Sequence, residues 1–393
     1  MRSKLNKQFV RFYILVSVLC VLCASVVNSA AQDYKTLKEG IEYAEVTKEI
    51  SGLKVNMNLL RLDLTKVRLD VNHAMDAAIG TEKTSSIATR HGAFAAINAG
   101  FFRLDNSIWA GDAVGILMID NRLFSESTND RIAMGIINEL DVTKVQFGHV
   151  RTSLKIGPGI DERFKVDGIN RERKSSEIVL YTFDFGLNTL TSDIGSEFAV
   201  ESGDTYPRFG NIAQIQKGKG CTTLSPNRFV ISAEGEPAKR LESYFTKRQK
   251  LARWIANFET IEPGETHFFR IAEDITNGVP QLIKDGKIDI TWEQENATKS
   301  FVETRHPRTA VAKLKDGKFL MITVDGRTES SGGIGLQDLA EYLLSLGATD
   351  AMNLDGGGST TMFVDGKVVN HPSDKEGERK VSDAILVTPR TKH

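Results

Sequence analysis

Val311-Ala-Lys-Leu-Lys-Asp-Gly-Lys-Phe-Leu-Met-Ile-Thr-Val324 sets two β-rich stretches on either side of an Asp-Gly pair. Asp and Gly accept the left-handed backbone of a type I′ turn, whose twist suits two antiparallel strands. The arrangement recurs at Leu117-Met-Ile-Asp-Asn-Arg-Leu-Phe124, Leu282-Ile-Lys-Asp-Gly-Lys-Ile-Asp-Ile290 and Thr361-Met-Phe-Val-Asp-Gly-Lys-Val-Val369. Tight hairpins join antiparallel neighbours, so a purely parallel, doubly wound sheet is disfavoured.

Helical patterning is sparser. Leu336, Leu339, Ala340, Leu343 and Leu344 form one apolar face, and Gly347 follows as a C-terminal stop. A second helix is expected from about Leu241 to Ile255, with Tyr244, Phe245, Leu251, Trp254 and Ile255 on a broad stripe. A third spans Thr84 to Arg90, ahead of an apolar strand at Ala93–Ile97. The expected fold class is α+β: largely antiparallel β-sheets built from tight hairpins, with helices packed on them.

The N-terminus reads as a targeting segment. Arg2, Lys4, Lys7 and Arg11 precede an apolar run from Phe12 to Val27, and Ser29-Ala-Ala31 offers small residues for cleavage. The run is shorter than the roughly 20 residues that span a bilayer. The expected organisation is a signal peptide over 1–31, an N-terminal strand region over 32–75 and a main domain over 76–393. Within the last, 150–260 is weakly patterned and reads as an insertion or subdomain. Cleavage would leave no membrane span and an exported protein, periplasmic or extracellular.

The whole chain has 393 residues, 40% hydrophobic and 26% charged, which excludes a disordered or collagen-like chain. With 50 Lys and Arg against 51 Asp and Glu, it lacks the basic excess that drives nucleic-acid binding. Of three cysteines, Cys20 and Cys23 lie in the expected signal, so the mature chain would hold no internal disulfide. Cys221 reads as a small packed residue.

Five constellations could carry chemistry. The strongest is Asn353-Leu-Asp-Gly-Gly-Gly-Ser-Thr-Thr361. Strand alternation puts Asn353 and Asp355 on one face, and Gly356, Gly357 and Gly358 leave no Cβ beside that carboxylate. Such a loop suits close backbone approach to a ligand, with amides aimed at its oxygens. No Lys follows the glycines as a P-loop requires. Asn98-Ala-Gly-Phe-Phe102 follows a buried-looking strand and reads either as a polar strand end with a turn at Gly100 or as a turn with a hydrophobic plug. Arg308-Thr-Ala310, close to Arg305 and His306, offers a planar fork for phosphate or carboxylate, or a surface charge cluster. Thr323-Val-Asp-Gly-Arg327 puts Asp325 at a strand end. Asn370-His-Pro-Ser-Asp374, with Arg379 beyond, adds polar groups after the last hairpin. No His pair has metal-ligand spacing and no GxSxG elbow is present. The expectation is no metal and no cofactor, with a carboxylate-lined Ca²⁺ or Mg²⁺ site left open.

Together these motifs resemble the phosphodiester glycosidase family. The resemblance rests on Asn98-Ala-Gly-Phe-Phe102, Gly278-Val-Pro-Gln-Leu-Ile-Lys-Asp-Gly286, Arg308-Thr-Ala310, Asp325-Gly-Arg327 and the Gly335–Leu346 helix. It continues through Asn353-Leu-Asp-Gly-Gly-Gly-Ser359, Pro372-Ser-Asp374 and Arg379-Lys-Val-Ser382. Gly168-Ile-Asn-Arg-Glu-Arg173 and Glu177-Ile-Val-Leu-Tyr-Thr182 are similar to bacterial members. Ala99 departs from the Gly expected in many relatives.

The resemblance implies cleavage between an anomeric carbon and a phosphate oxygen, with a carbohydrate phosphodiester as substrate. That chemistry needs a cation near the phosphate and a carboxylate near an oxocarbenium-like carbon. Arg308 and Arg379 suit the first, helped by the Gly356, Gly357 and Gly358 amides. Asp355 suits the second as nucleophile or base, with Asp325 as the alternative. Asn98 and Asn353 would hold sugar hydroxyls or phosphate, and Gly100, Thr309, Ser359 and Asp374 would line the substrate. Two other classes stay open: a phosphodiesterase using a divalent cation, and an exported protein that binds an anionic glycan without turning it over.

Overall fold

Strands that alternate, such as Val67–His73, and continuous buried ones, such as Phe319–Val324, build three principal sheets. The computed structural model describes residues 32–157, 164–247, 251–262 and 264–391; the expected signal segment lies outside them. From Lys35 onward the chain forms one unit. Its eight-stranded sheet runs in the order Lys35–Lys38, Ile41–Ile50, Leu53–Leu62, Phe319–Val324, Arg308–Leu314, Ala348–Asn353, Gln281–Lys284, Lys287–Ile288. A five-stranded sheet has the order Lys367–Val368, Met362–Val364, Ala95–Asn98, Asp383–Pro389, Val67–His73. Leu60, Leu62, Val311, Met321 and Met352 of the first meet Leu69, Val71, Ile97, Ile385 and Val387 of the second in one core.

The third sheet has 12 strands and contains most of the 150–260 region. Its ends curl toward each other: Glu126, just past the strand Arg122–Ser125, accepts a hydrogen bond from the Ile169 amide at the far end. Ile178, Leu180, Phe198, Val200, Phe229 and Ile231 fill one core. The alternate residues Val179, Tyr181, Ala199 and Val230 fill another on the opposite face. Continuous apolar strands are therefore buried on both sides.

The fold is mostly β, which corrects the α+β expectation. Among the described residues the longest helix, Gly235–Lys247, has 13 residues. Helices here fill gaps beside sheets, while sheet packed on sheet makes the main cores. The only parallel strand pair among the described residues joins Gly168–Ile169 to Ile178–Tyr181. All four expected hairpins form. Three have both central residues at positive φ, as type I′ requires: Asp120 and Asn121, Asp285 and Gly286, Asp365 and Gly366. The fourth is looser, with only Gly317 left-handed in the loop between Lys313 and Phe319.

The helices Thr84–Arg90 and Leu336–Ser345 match their expected positions, with Gly347 at φ 90 after the second. The expected helix Leu241–Ile255 is corrected. A helix ends at Lys247, and Leu251–Thr260 is a strand paired with Thr143–Gly157. Ala252 and Trp254 point inward at strand spacing, so period 2 was hidden inside an apolar stripe. Cys221 is exposed rather than packed, and its φ of 55 places it in a tight turn.

Candidate active site

Antiparallel pairing brings the motifs together at one end of the eight-stranded sheet. Arg308 pairs with Val324, Thr309 with Thr323, and Ala310 with both Ile322 and Asn353. The chain then leaves Asn353 and crosses to the five-stranded sheet, where Met362 pairs with Ile97. Residues 354–361, the glycine loop, span this junction. The Leu354 amide donates to the Thr309 carbonyl and the Asp355 amide to that of Ala99.

Asn98 ties the junction together. Its Oδ1 accepts from Thr309 Oγ1 at 2.7 Å and from the Thr361 amide at 3.1 Å, and its Nδ2 donates to the Asp355 carbonyl at 2.7 Å. Thr309 is fully buried in the same tie. Asn353 is also buried and donates to the carbonyls of Val279 and Leu354, while its Oδ1 has no partner among the described residues. The Gly100 amide donates to Asp383, and a Cβ there would stand 2.7 Å from Asn277 Nδ2. Asn98, Thr309 and Gly100, expected to line the substrate, are thus each engaged in structural ties.

Asp355 is half-buried, with Oδ1 accepting from the Gly356 amide at 2.9 Å. Burial pushes its carboxyl up to about 6. The Ser359 hydroxyl, the Gly356 amide and the charge of Arg379 oppose that rise, and Asp383 adds to it. Asp325 is more enclosed: burial raises its pKa, while Oδ1 accepts from the His371 amide at 2.9 Å and from Asn370 Nδ2 at 3.4 Å.

The three glycines have distinct steric reasons. A Cβ at Gly358 would lie 2.2 Å from both Arg379 Nη2 and Asp374 Oδ1. At Gly356 it would lie 2.8 Å from the Pro307 carbonyl oxygen, and at Gly357, with φ +62, 3.0 Å from Arg327 Nη2. The loop is thereby pressed against a bidentate Arg379–Asp374 pair, with contacts of 2.7 and 2.9 Å. Nearby hydroxyls of Thr323, Thr360 and Thr361 are buried without partners among the described residues. Native structures seldom leave buried polar atoms unpaired, so such a group marks a place for water or a polar ligand.

Arg308 departs from the expected free phosphate fork. It is 1% exposed, and Nη2 donates to the carbonyls of Phe301 and Thr304 while Nε reaches that of Ile334. Its guanidinium lies 4.8 Å from the Phe301 ring centroid, leaving Nη1 without a partner among the described residues. Burial and the charge of Arg327 lower its pKa to about 10, so it stays cationic at neutral pH.

Arg131 escaped the sequence reading, and Arg327 was quoted in a motif without a role. Arg131 is largely buried, within range of the charges of Glu295 and Asp355, and it stacks 5.4 Å from the Phe101 centroid. Phe101 meets Phe301 edge-on at 6.1 Å, so two arginines lean on one aromatic pair. Arg131 ends an ordinary-looking Thr-Asn-Asp turn, and no local signal marks it. Arg327 lies in the quoted Asp325-Gly-Arg327 motif and has φ 62, a conformation that a bulky side chain seldom adopts. Among the described residues no group of three or more His, Cys, Asp or Glu is placed to hold a metal ion.

A family model described as phosphodiester glycosidase matches residues 209–388. Over 188 residues, 45% of this chain, the sequence is 38% identical to the Bos taurus N-acetylglucosamine-1-phosphodiester alpha-N-acetylglucosaminidase, and the alignment spans 34% of that protein. Two solved structures share the fold. A hypothetical protein from Synechocystis has a TM-score of 0.74 at 21% identity, covering 91% of this chain and 64% of that one. A Burkholderia pseudomallei K96243 protein named as exported has a TM-score of 0.72 at 22% identity, covering 86% and 74%. Both the order of its motifs and the match over 209–388 make this part of the chain a phosphodiester glycosidase family domain.

Proposed function

We propose that the protein is an exported hydrolase that cleaves the anomeric C–O bond of sugar-1-phosphodiesters, releasing free sugar and a phosphomonoester. The observation that carries this reading is the glycine loop, which holds the Asp355 carboxylate through the Gly356 amide and packs at Gly358 against the Arg379–Asp374 pair. A phosphodiester brings one negative charge and several oxygens, which suits fixed arginines and orphaned hydroxyls. Phosphate is a good leaving group, so the main demands are charge stabilisation on the phosphate and a carboxylate at the anomeric carbon. Arg379, held flat by Asp374, and Arg131, stacked on Phe101, supply the first. Arg308 contributes through Nη1 from a braced position. Asp355 supplies the second, as nucleophile or as base for water, while Asp325 orders the Asn370-His371 turn. The reaction runs without a cofactor. Export is supported by the charge and length pattern of residues 1–31 and by the like-folded protein named as exported.

A panel of sugar-1-phosphodiesters in ¹⁸O-water tests the bond cleaved. Label in the sugar, beside an unlabelled phosphomonoester, is the expected result; label in the phosphate means P–O cleavage and overturns the proposal. Dialysis against EDTA leaves kcat unchanged, whereas a divalent-cation phosphodiesterase loses activity.

A further inference from the structure

A second cleft shares no residue with the Asp355 site. It is a partly open cavity of about 150 Å³ in the twelve-stranded sheet, lined by Arg122, Phe183, Tyr206, Arg208, Arg228 and Trp254 among others.

Two of its arginines lie on aromatic faces. Arg122 stands 4.5 Å from the Tyr206 centroid and Arg208 5.2 Å from that of Trp254. A guanidinium stacked this way is held flat while its in-plane N–H donors remain available. Their charges differ in what balances them. Arg122 pairs with Asp184 at 2.8 Å, and Arg228 with Glu201 through Nε at 3.1 Å. Arg208 donates only to the Asn121 carbonyl at 3.3 Å and has no carboxylate partner among the described residues. The cleft therefore carries a net positive charge on a pre-oriented planar group.

Tyr206 adds an independent mark. It is 40% exposed at φ 55, held there by the hydrogen bond that its backbone N–H donates to the Pro226 carbonyl. A bulky residue seldom adopts left-handed backbone and is kept there chiefly where the surroundings enforce it. Phe183 flanks it at 6.5 Å. We propose that this cleft is a second binding site, for an anionic saccharide. Arg208 takes its carboxylate or phosphate, Arg122 adds in-plane donors, and the open part of Tyr206 packs on the sugar ring. The saccharide class rests on the proposed glycosidase function; the cationic cleft does not.

Calorimetric titration of the full chain with trigalacturonate, glucose 6-phosphate and neutral maltotriose tests this at low salt. At least one anionic probe should bind saturably and at least tenfold tighter than maltotriose. Arg208→Gln and Tyr206→Ala should each weaken it at least tenfold, with diester hydrolysis unchanged as the control for folding. Asp355→Asn should leave this binding intact, even where hydrolysis itself proves absent. No saturable binding of either anion, equal binding of maltotriose, or binding lost in Asp355→Asn but kept in Arg208→Gln would each overturn the second site.

Discussion

Asp355 is a carboxyl that the fold holds closer to neutrality than water would. Burial raises it to about 6, and the ionised form that chemistry needs is the one the folded state disfavours. With Asp355 acting as a carboxylate, kcat/KM should drop about tenfold per pH unit below pH 6 and stay flat above it. Asp355→Asn should lower kcat about 10³-fold; near-normal turnover, or an unchanged acid limb in the variant, removes Asp355 from the reaction. The same shift has a stability consequence of definite sign. A folded pKa above the unfolded one favours folding at low pH, and that contribution is lost as pH rises through about 6. Asp355→Asn should therefore raise Tm at pH 7.5, with the gain shrinking as pH falls toward about 4. Asn98 behaves oppositely. Its removal would orphan the Thr309 hydroxyl, the Thr361 amide and the Asp355 carbonyl. Asn98→Ala should cost about 3 kcal/mol in urea unfolding; a change under about 0.5 kcal/mol contradicts the tie.

The glycine loop is the element on which the site depends. It joins two sheets and must lie against Arg379 and Asp374 without a side chain at Gly358. Gly358→Ala forces the bidentate pair apart or lifts the loop. Misplacing reacting groups by about 1 Å costs on the order of 10²-fold, so kcat/KM should fall by about that factor. Gly366→Ala, in the type I′ hairpin with nothing near its Cβ, serves as the comparison: it strains the turn at φ 81 but leaves the site in place. It should lower Tm and spare kcat/KM. Equal activity losses in the two variants would mean that backbone strain, rather than the Arg379–Asp374 contact, explains Gly358.

At the scale of the whole molecule, a buried chain of charges joins the twelve-stranded sheet to the site end. His149, 1% exposed, contacts Glu262 at 2.5 Å and Glu295 at 3.2 Å. Glu295 also accepts from the Ile132 and Gln281 amides and lies near Arg131. Burial alone would lower the His149 pKa, yet the hydrogen bonds and charges of the two glutamates outweigh it and lift it to about 9. Its stabilisation is then fully present below about pH 6.5 and lost as pH rises through 9. Tm should fall across that window, and His149→Gln should lower Tm at pH 6 while flattening the fall. A profile of unchanged slope in the variant would show that the imidazole is neutral in the fold.

The sequence by itself determined what is local. Asp-Gly and Asp-Asn pairs specify left-handed turns, so all four hairpins were legible, as were the helices Thr84–Arg90 and Leu336–Ser345. The order of the Asp355, Asp325 and Arg379 motifs was legible too, because each carries its residues within one short segment. Tertiary structure alone decided the rest. Leu251–Thr260 became a strand because its partner Thr143–Gly157 lies about a hundred residues away. That switch, with sheet packed on sheet, turned the expected α+β chain into a mostly β one. Arg308 proved braced by carbonyls from Phe301, Thr304 and Ile334, and Arg131 came from an unremarkable turn to stack on Phe101 within range of the Asp355 charge. A side chain's chemistry is local, but its free donors, its burial and hence its pKa depend on groups that only the folded chain brings within a few ångströms.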